Sequence, residues 1–167
     1  MNAAERPETG LLTLDDARKW RAELRAAGKK LVVTNGCFDI MHRGHASYLR
    51  EARMQGDALL VLINSDSSVR RLKGETRPVV SQADRAYMLC ALSSVDRVVI
   101  FDRQRCDREL AAIMPDIYVK GGDYTLDKLE PHERAALEKA GTKIVFKPFI
   151  PGFSTTTLIR RILDAEK

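Results

Sequence analysis

The sequence predicts an α/β fold built on a doubly wound parallel sheet of about five strands with helices on both faces. Two observations predict it. Short apolar runs rich in Val and Ile recur along the chain, and stretches with the apolar spacing of a helix lie between them. Strands separated by helices pair in parallel, because each crossover carries the chain back to the same end of the sheet. The length of 167 residues suits one compact domain with a sizeable core.

The elements follow in chain order. Residues 1–11 read as a flexible tail, and 12–167 as a single domain. "TLDDARKWRAELRAAG", 13–28, is a helix capped by Thr13, with Leu14, Ala17 and Leu24 recurring on one side and Gly28 as its stop. "KLVVT", 30–34, is the first buried strand. "HASYLREARMQG", 45–56, is the helix after it, and "ALLVLIN", 58–64, the second strand. "SQADRAYMLCAL", 81–92, precedes the strand "DRVVIF", 96–101, and "RELAAIM", 108–114, precedes "DIYVKG", 116–121. "HERAALEKAG", 132–141, leads to the strand "KIVFK", 143–147. The chain closes with "STTTLIRRILDAEK", a Ser/Thr cap followed by Leu158, Ile159, Ile162 and Leu163 on one face.

Composition removes several function classes. The longest apolar run, "ALLVLI", is too short to cross a bilayer, and "MNAAERPETG" lacks the apolar core of a signal peptide. A cytoplasmic protein without membrane partners is expected. Three cysteines, Cys37, Cys90 and Cys106, without CxxC spacing indicate neither a disulfide framework nor a zinc knuckle. The net charge of +5 is spread among interleaved acids, which suits small phosphorylated ligands better than nucleic acid.

Ligands of such sheets bind beyond the carboxyl ends of the strands, so the segments after the strands carry the candidates. In "TNGCFDIMHRGH", Gly36 allows a tight turn that leaves the amides of Cys37 and Phe38 facing a phosphate. His42 and His45 flank a helix N-terminus, where unpaired N–H groups and the dipole attract anions, and Gly44 lets a phosphate come close. Taken alone, the histidine pair could equally be plain loop residues, or join Cys37 at a metal, although no fourth ligand stands at zinc spacing. Lys73, on what reads as a flexible loop, suits a phosphate. Asp66 could accept from a ribose hydroxyl or cap its turn, and Asp39 could orient His42 or meet a sugar. Arg77 and Arg85 are further phosphate candidates, with a surface ion pair as the alternative for Arg85. Gly121, Gly122 and Asp123 make a turn that a nucleobase or ribose could approach. Ser154, Thr155 and Thr156 cap the last helix and could hold phosphates with the same groups.

These stretches resemble the HxGH nucleotidyltransferases of the cytidylyltransferase-like superfamily, which have a Rossmann-like sheet. "TNGCFDIMHRGHASYL", "NSDSSVRRLKG", "RPV", "PDIYVKGGDY" and "STTTLIRRI" are similar, across residues 12–163, to the branch that makes ADP-heptose for the lipopolysaccharide core. In many bacteria that enzyme is half of a two-domain protein with a sugar kinase, and this chain looks like the stand-alone form. The resemblance implies transfer of AMP from ATP to D-glycero-β-D-manno-heptose 1-phosphate, with pyrophosphate released and Mg²⁺ accompanying ATP. It implies nucleotide binding by Asn35, Gly36, Cys37, Phe38, His42, His45, Gly122, Asp123, Ser154, Thr155 and Thr156. Asp39, Asp66, Lys73, Arg77 and Arg85 are then expected on the sugar phosphate, with His42, His45 and Lys73 catalytic and no protein metal site. Many members are oligomeric, and a homodimer is the expectation. The rivals are a cytidylyltransferase of glycerol 3-phosphate and a non-catalytic nucleotide- or RNA-binding module.

Overall fold

A computed structural model describes residues 6–148 and 152–165. The strands are β1 (Leu11–Leu12), β2 (Leu31–Gly36), β3 (Ala58–Asn64), β4 (Arg97–Phe101), β5 (Ile117–Gly121) and β6 (Lys143–Lys147). The helices are α1 (Arg6–Thr9), α2 (Leu14–Ala26), α3 (Arg43–Arg53), α4 (Asp66–Lys73), α5 (Gln82–Cys90), α6 (Asp107–Ile113), α7 (Pro131–Lys139) and α8 (Thr155–Ala165). All five strand pairings are parallel, in the order β1-β4-β3-β2-β5-β6. The doubly wound α/β class therefore holds, with six strands where about five were expected.

The additional strand comes from the expected tail. Leu11 and Leu12 register with Val98 and Val99 of β4, because the open edge of β4 offers backbone groups that need partners. Helix α1 precedes it, so the ordered chain reaches back at least to residue 6, and residues 1–5 of that tail lie outside the described residues.

Both faces of the sheet are covered, and strand parity divides the core. Leu31, Val33, Leu60 and Leu62 pack with Ala17 and Leu24 of α2, Leu110 and Ile113 of α6 and Leu137 of α7. Val32, Leu59, Val61 and Ile63 pack with Tyr48, Leu49 and Ala52 of α3 and with Ala86, Leu89 and Cys90 of α5. Every residue of β3 is buried, which is why "ALLVLIN" reads as a continuous apolar run rather than an alternation. Among the described residues no helix is long and apolar enough to cross a membrane.

From β2 the chain winds outward through β3 to β4, then crosses back to place β5 on the other side of β2. The winding reverses at the carboxyl ends of β2 and β5, where open α/β sheets bind ligands. The opposite end is fastened by Asp116. Its Oδ1 accepts from Arg21 Nη2 at 2.8 Å and its Oδ2 from the Leu31 amide at 2.7 Å, while Arg21 Nε donates to the Met114 carbonyl. One carboxylate thus joins α2 to the starts of β2 and β5. Because the Arg21 side chain is only 5% exposed, Asp116→Ala strands a buried cation. The substitution is expected to lower the unfolding free energy by about 1–3 kcal/mol, read as a lower urea midpoint at unchanged slope.

Candidate active site

A cleft of about 960 Å³ opens over the carboxyl ends of β2, β3 and β5. It is lined by Asn35, Gly36, Cys37, Phe38, Asp39, His42, His45, Lys73, Arg77, Ser154, Thr155 and Thr156, which brings most of the expected site residues together. A second depression of about 930 Å³, between α2 and α6, lies at the other end of the strands and holds none of them.

The turn after β2 doubles back on itself. Phe38 has φ +48° and lays its ring over Gly36, where a Cβ would stand 2.9 Å from the ring edge. Only glycine leaves room for that return. The carbonyl of Cys37 accepts from Arg85 Nη1 at 2.6 Å. In a trans peptide the next N–H points the opposite way, so the Phe38 amide is turned away from the buried guanidinium.

Helix α3 begins at the histidines. His42 is its N-cap, with Nδ1 accepting from the His45 amide at 3.4 Å. That bond leaves the His42 proton on Nε2, as a donor. The two imidazoles stack with centroids 3.8 Å apart and planes 18° from parallel. A Cβ at Gly44 would come within 2.9 Å of Phe153 Cβ and 3.0 Å of the His42 ring. A side chain at position 44 would therefore meet Phe153 and the His42 ring, and glycine there keeps the backbone in the wall of the cleft. The helix is held in place by Tyr48, whose hydroxyl donates to the Val119 carbonyl and shares a 2.7 Å hydrogen bond with Thr34. Desolvation, with the His42 charge adding to it, lowers the His45 pKa to about 4, and burial also lowers that of His42. Both rings are therefore neutral near pH 7, and act as hydrogen-bond donors rather than cations.

Several residues expected on the substrate are engaged by partners within the protein. Arg85 is fully buried. Nε donates to Val80 O, Nη1 to Cys37 O, and Nη2 to Asn64 O and Asp66 Oδ1. Asp66 is its ion-pair partner at 2.8 Å and lies outside the cleft lining. Asp39 does not reach His42. Its carboxylate accepts from the amides of Val79 and Val80 and from Arg77 Nε. Burial alone would raise its pKa, but those amides and the guanidinium hold it below the usual carboxylate range. Lys73 is the last residue of α4 rather than part of a flexible loop, and Gly74 ends the helix with φ +96°. Gly122 and Asp123 also lie outside the lining, and the Gly122 amide is taken by the Lys147 carbonyl. Ser154 caps α8 by accepting from the Thr157 amide at 3.0 Å.

The structure adds residues that the sequence reading missed. Lys120 Nζ donates to Asn35 Oδ1 at 2.8 Å and lies 3.2 Å from Tyr118 Oη, which donates to the same oxygen. Glu133 stands beyond it, and Gln104, Arg105, Tyr124 and Glu130 complete that end of the cleft. The signal available for Lys120 is a lysine ending an apolar strand directly before two glycines. Glu133 has none, because it looks like one of several charges on a surface helix. Among the described residues no group of three or more His, Cys, Asp or Glu side chains could hold a metal ion.

Residues 33–162 match the sequence model of the cytidylyltransferase-like family. The bifunctional protein HldE of Geobacter sulfurreducens is 46% identical over 141 residues, covering 84% of this chain and 28% of that protein. HldE of Aliarcobacter butzleri is 45% identical over 155 residues, 93% of this chain and 31% of its own length. HldE of Alkalilimnicola ehrlichii is 42% identical over 161 residues, 96% and 33% of the two chains. The chain thus spans about a third of the length of these relatives. Among solved structures, a lipopolysaccharide core biosynthesis protein from Thermoplasma volcanium is 28% identical with a TM-score of 0.59, over 74% of this chain and 98% of that one.

The neutral His45 gives a pH signature. An unfolded histidine titrates near 6.5 and folded His45 near 4, so between those values the unfolded state binds the extra proton and stability rises with pH. The contribution is complete above about 6.5 and is lost as the pH falls towards 4. The urea midpoint of His45→Gln should accordingly fall less steeply than that of the wild-type protein between pH 6.5 and 4. Parallel curves would show that the His45 pKa is the same in the folded and unfolded states.

Proposed function

The chain belongs to the cytidylyltransferase-like family, and on that premise we propose that it is an adenylyltransferase joining AMP from ATP to D-glycero-β-D-manno-heptose 1-phosphate. The products are ADP-heptose, for the lipopolysaccharide core, and pyrophosphate. The observation that carries this reading is a two-part clamp. The stacked His42 and His45 at the start of α3 share one cleft with Ser154, Thr155 and Thr156 at the start of α8. Two helix N-termini with hydroxyl and imidazole donors suit a triphosphate. The similarity to HldE proteins over most of the chain and to a lipopolysaccharide core biosynthesis protein supports the choice of acceptor.

In the proposed reaction an oxygen of the sugar 1-phosphate attacks the α-phosphorus of ATP in line. A new P–O bond forms, the bond from Pα to the bridging oxygen breaks, and pyrophosphate departs with the electron pair. The nucleophile is already anionic, so no general base is required. The protein's task is to bring two polyanions together and stabilise charge moving to the leaving group. The neutral imidazoles donate hydrogen bonds to that charge, and the α8 cap holds the phosphates. Lys73 and Lys120 supply cations from opposite sides of the cleft. Mg²⁺ would enter as part of MgATP, with the nucleotide and water as its ligands; among the described residues no carboxylate cluster is placed to bind it. Cys37 lines the cleft, but desolvation raises its thiol pKa, and the reaction needs no thiolate.

The test is pyrophosphate release with ATP, CTP and GTP, each against heptose 1-phosphate and glycerol 3-phosphate. Turnover is expected with ATP and the heptose substrate. Activity confined to CTP and glycerol 3-phosphate would overturn the proposal in favour of a cytidylyltransferase, and nucleotide binding without any turnover would favour a binding module. His45→Ala should keep the fold and lose turnover by about 10²- to 10³-fold, and an unimpaired rate in that variant would contradict its role.

A further inference from the structure

The two ends of the cleft differ in charge. The histidine end presents helix N-termini and Lys73, whereas the far end carries Glu130 and Glu133 against Arg105 and Lys120. Arg105 is bound to Glu130 at 2.9 Å, and Glu130 is spent on capping α7 through the amides of His132 and Glu133. Glu133 is different. Its side chain is 5% exposed, and Oε1 accepts from the Cys106 amide at 3.2 Å and the Cys106 thiol at 3.3 Å. Oε2 stands 3.7 Å from Lys120 Nζ, beyond hydrogen-bonding distance. A carboxylate held in the wall of a phosphate-binding cleft repels a further phosphate and, when ionised, can only accept hydrogen bonds. The ligand group that suits it is a neutral donor.

Building on the adenylyltransferase reading, we propose that Glu133 determines acceptor specificity, with its Oε2 accepting from a hydroxyl of the sugar. Asn35, Gln104, Lys120 and Tyr124 frame the same end of the cleft. A polyol supplies donors in several directions, which fits a wall whose polar atoms come from strands β2 and β5 and from the loops that follow β4 and β5. Lys120 serves both ends. Its ammonium, steadied by Asn35, holds Glu133 in place from one side and faces the reacting phosphates from the other.

The test compares wild-type protein with Glu133→Gln, measuring pyrophosphate release against heptose 1-phosphate concentration and ATP affinity by calorimetry. The expected result is a rise of about 10- to 100-fold in the KM for the sugar phosphate, the range for a lost hydrogen bond to a charged group. ATP affinity should stay within about twofold. The variant should also discriminate less between heptose 1-phosphate and mannose 1-phosphate, which has one hydroxyl-bearing carbon fewer. Where Glu133→Gln does not fold, Glu133→Asp keeps the charge beside Lys120 and withdraws the oxygen, and the same rise in KM is expected. An unchanged KM overturns the proposal, as does weakened ATP binding with normal acceptor kinetics, which assigns Glu133 to the nucleotide. A wild-type protein that turns over no sugar phosphate overturns the adenylyltransferase reading and this inference with it, whereas normal wild-type turnover with an unaffected variant overturns this inference alone.

Discussion

The site depends on one buried cation. The guanidinium of Arg85, with no exposed surface, collects the carbonyls of Cys37, Asn64 and Val80 and the carboxylate of Asp66. A charge taken so fully out of water is tolerated only when its donors are matched, and here each acceptor belongs to a segment that shapes the cleft. Cys37 follows β2, Asn64 ends β3, and Val80 leads into α5. Asp39 grips the last of these from the other side, through the amides of Val79 and Val80. Two opposite charges thus fix the backbone from which the cleft-lining groups project.

That division of labour explains the character of the cleft. Its charged side chains are either engaged in bracing, as Asp39 and Arg77 are, or arranged along the opening with helix N-termini between them. The two histidines can then remain neutral. His45 is held uncharged by burial, which would be a poor choice for binding a phosphate at rest but suits a donor that strengthens as negative charge moves onto the leaving group.

Much of this was legible in the sequence, and the reasons are local. Buried parallel strands announce themselves as apolar runs, and Thr13 and Ser154 cap helices as their residue types suggest. The turn at Gly36 and the histidine pair depend on neighbours within a few positions, so their spacing survives in one dimension. Arg85 was not legible, because its partners Cys37, Asn64 and Asp66 lie 48, 21 and 19 residues away, and nothing beside it distinguishes a brace from a surface cation. The same holds for Glu133, which meets Cys106 from 27 residues away. The edge strand β1 was missed because two leucines before a helix carry no periodicity, and only the open edge of β4 makes them a strand.

In the proposed reaction two segments more than a hundred residues apart in sequence, 36–46 and 153–158, act as one phosphate clamp. Amide hydrogen exchange followed by mass spectrometry, with and without MgATP, shows whether they do. Peptides from both segments should gain protection together at the same nucleotide concentration, while α2, at the far end of the strands, stays unchanged. Protection confined to one segment, or spread evenly over the chain, would contradict it.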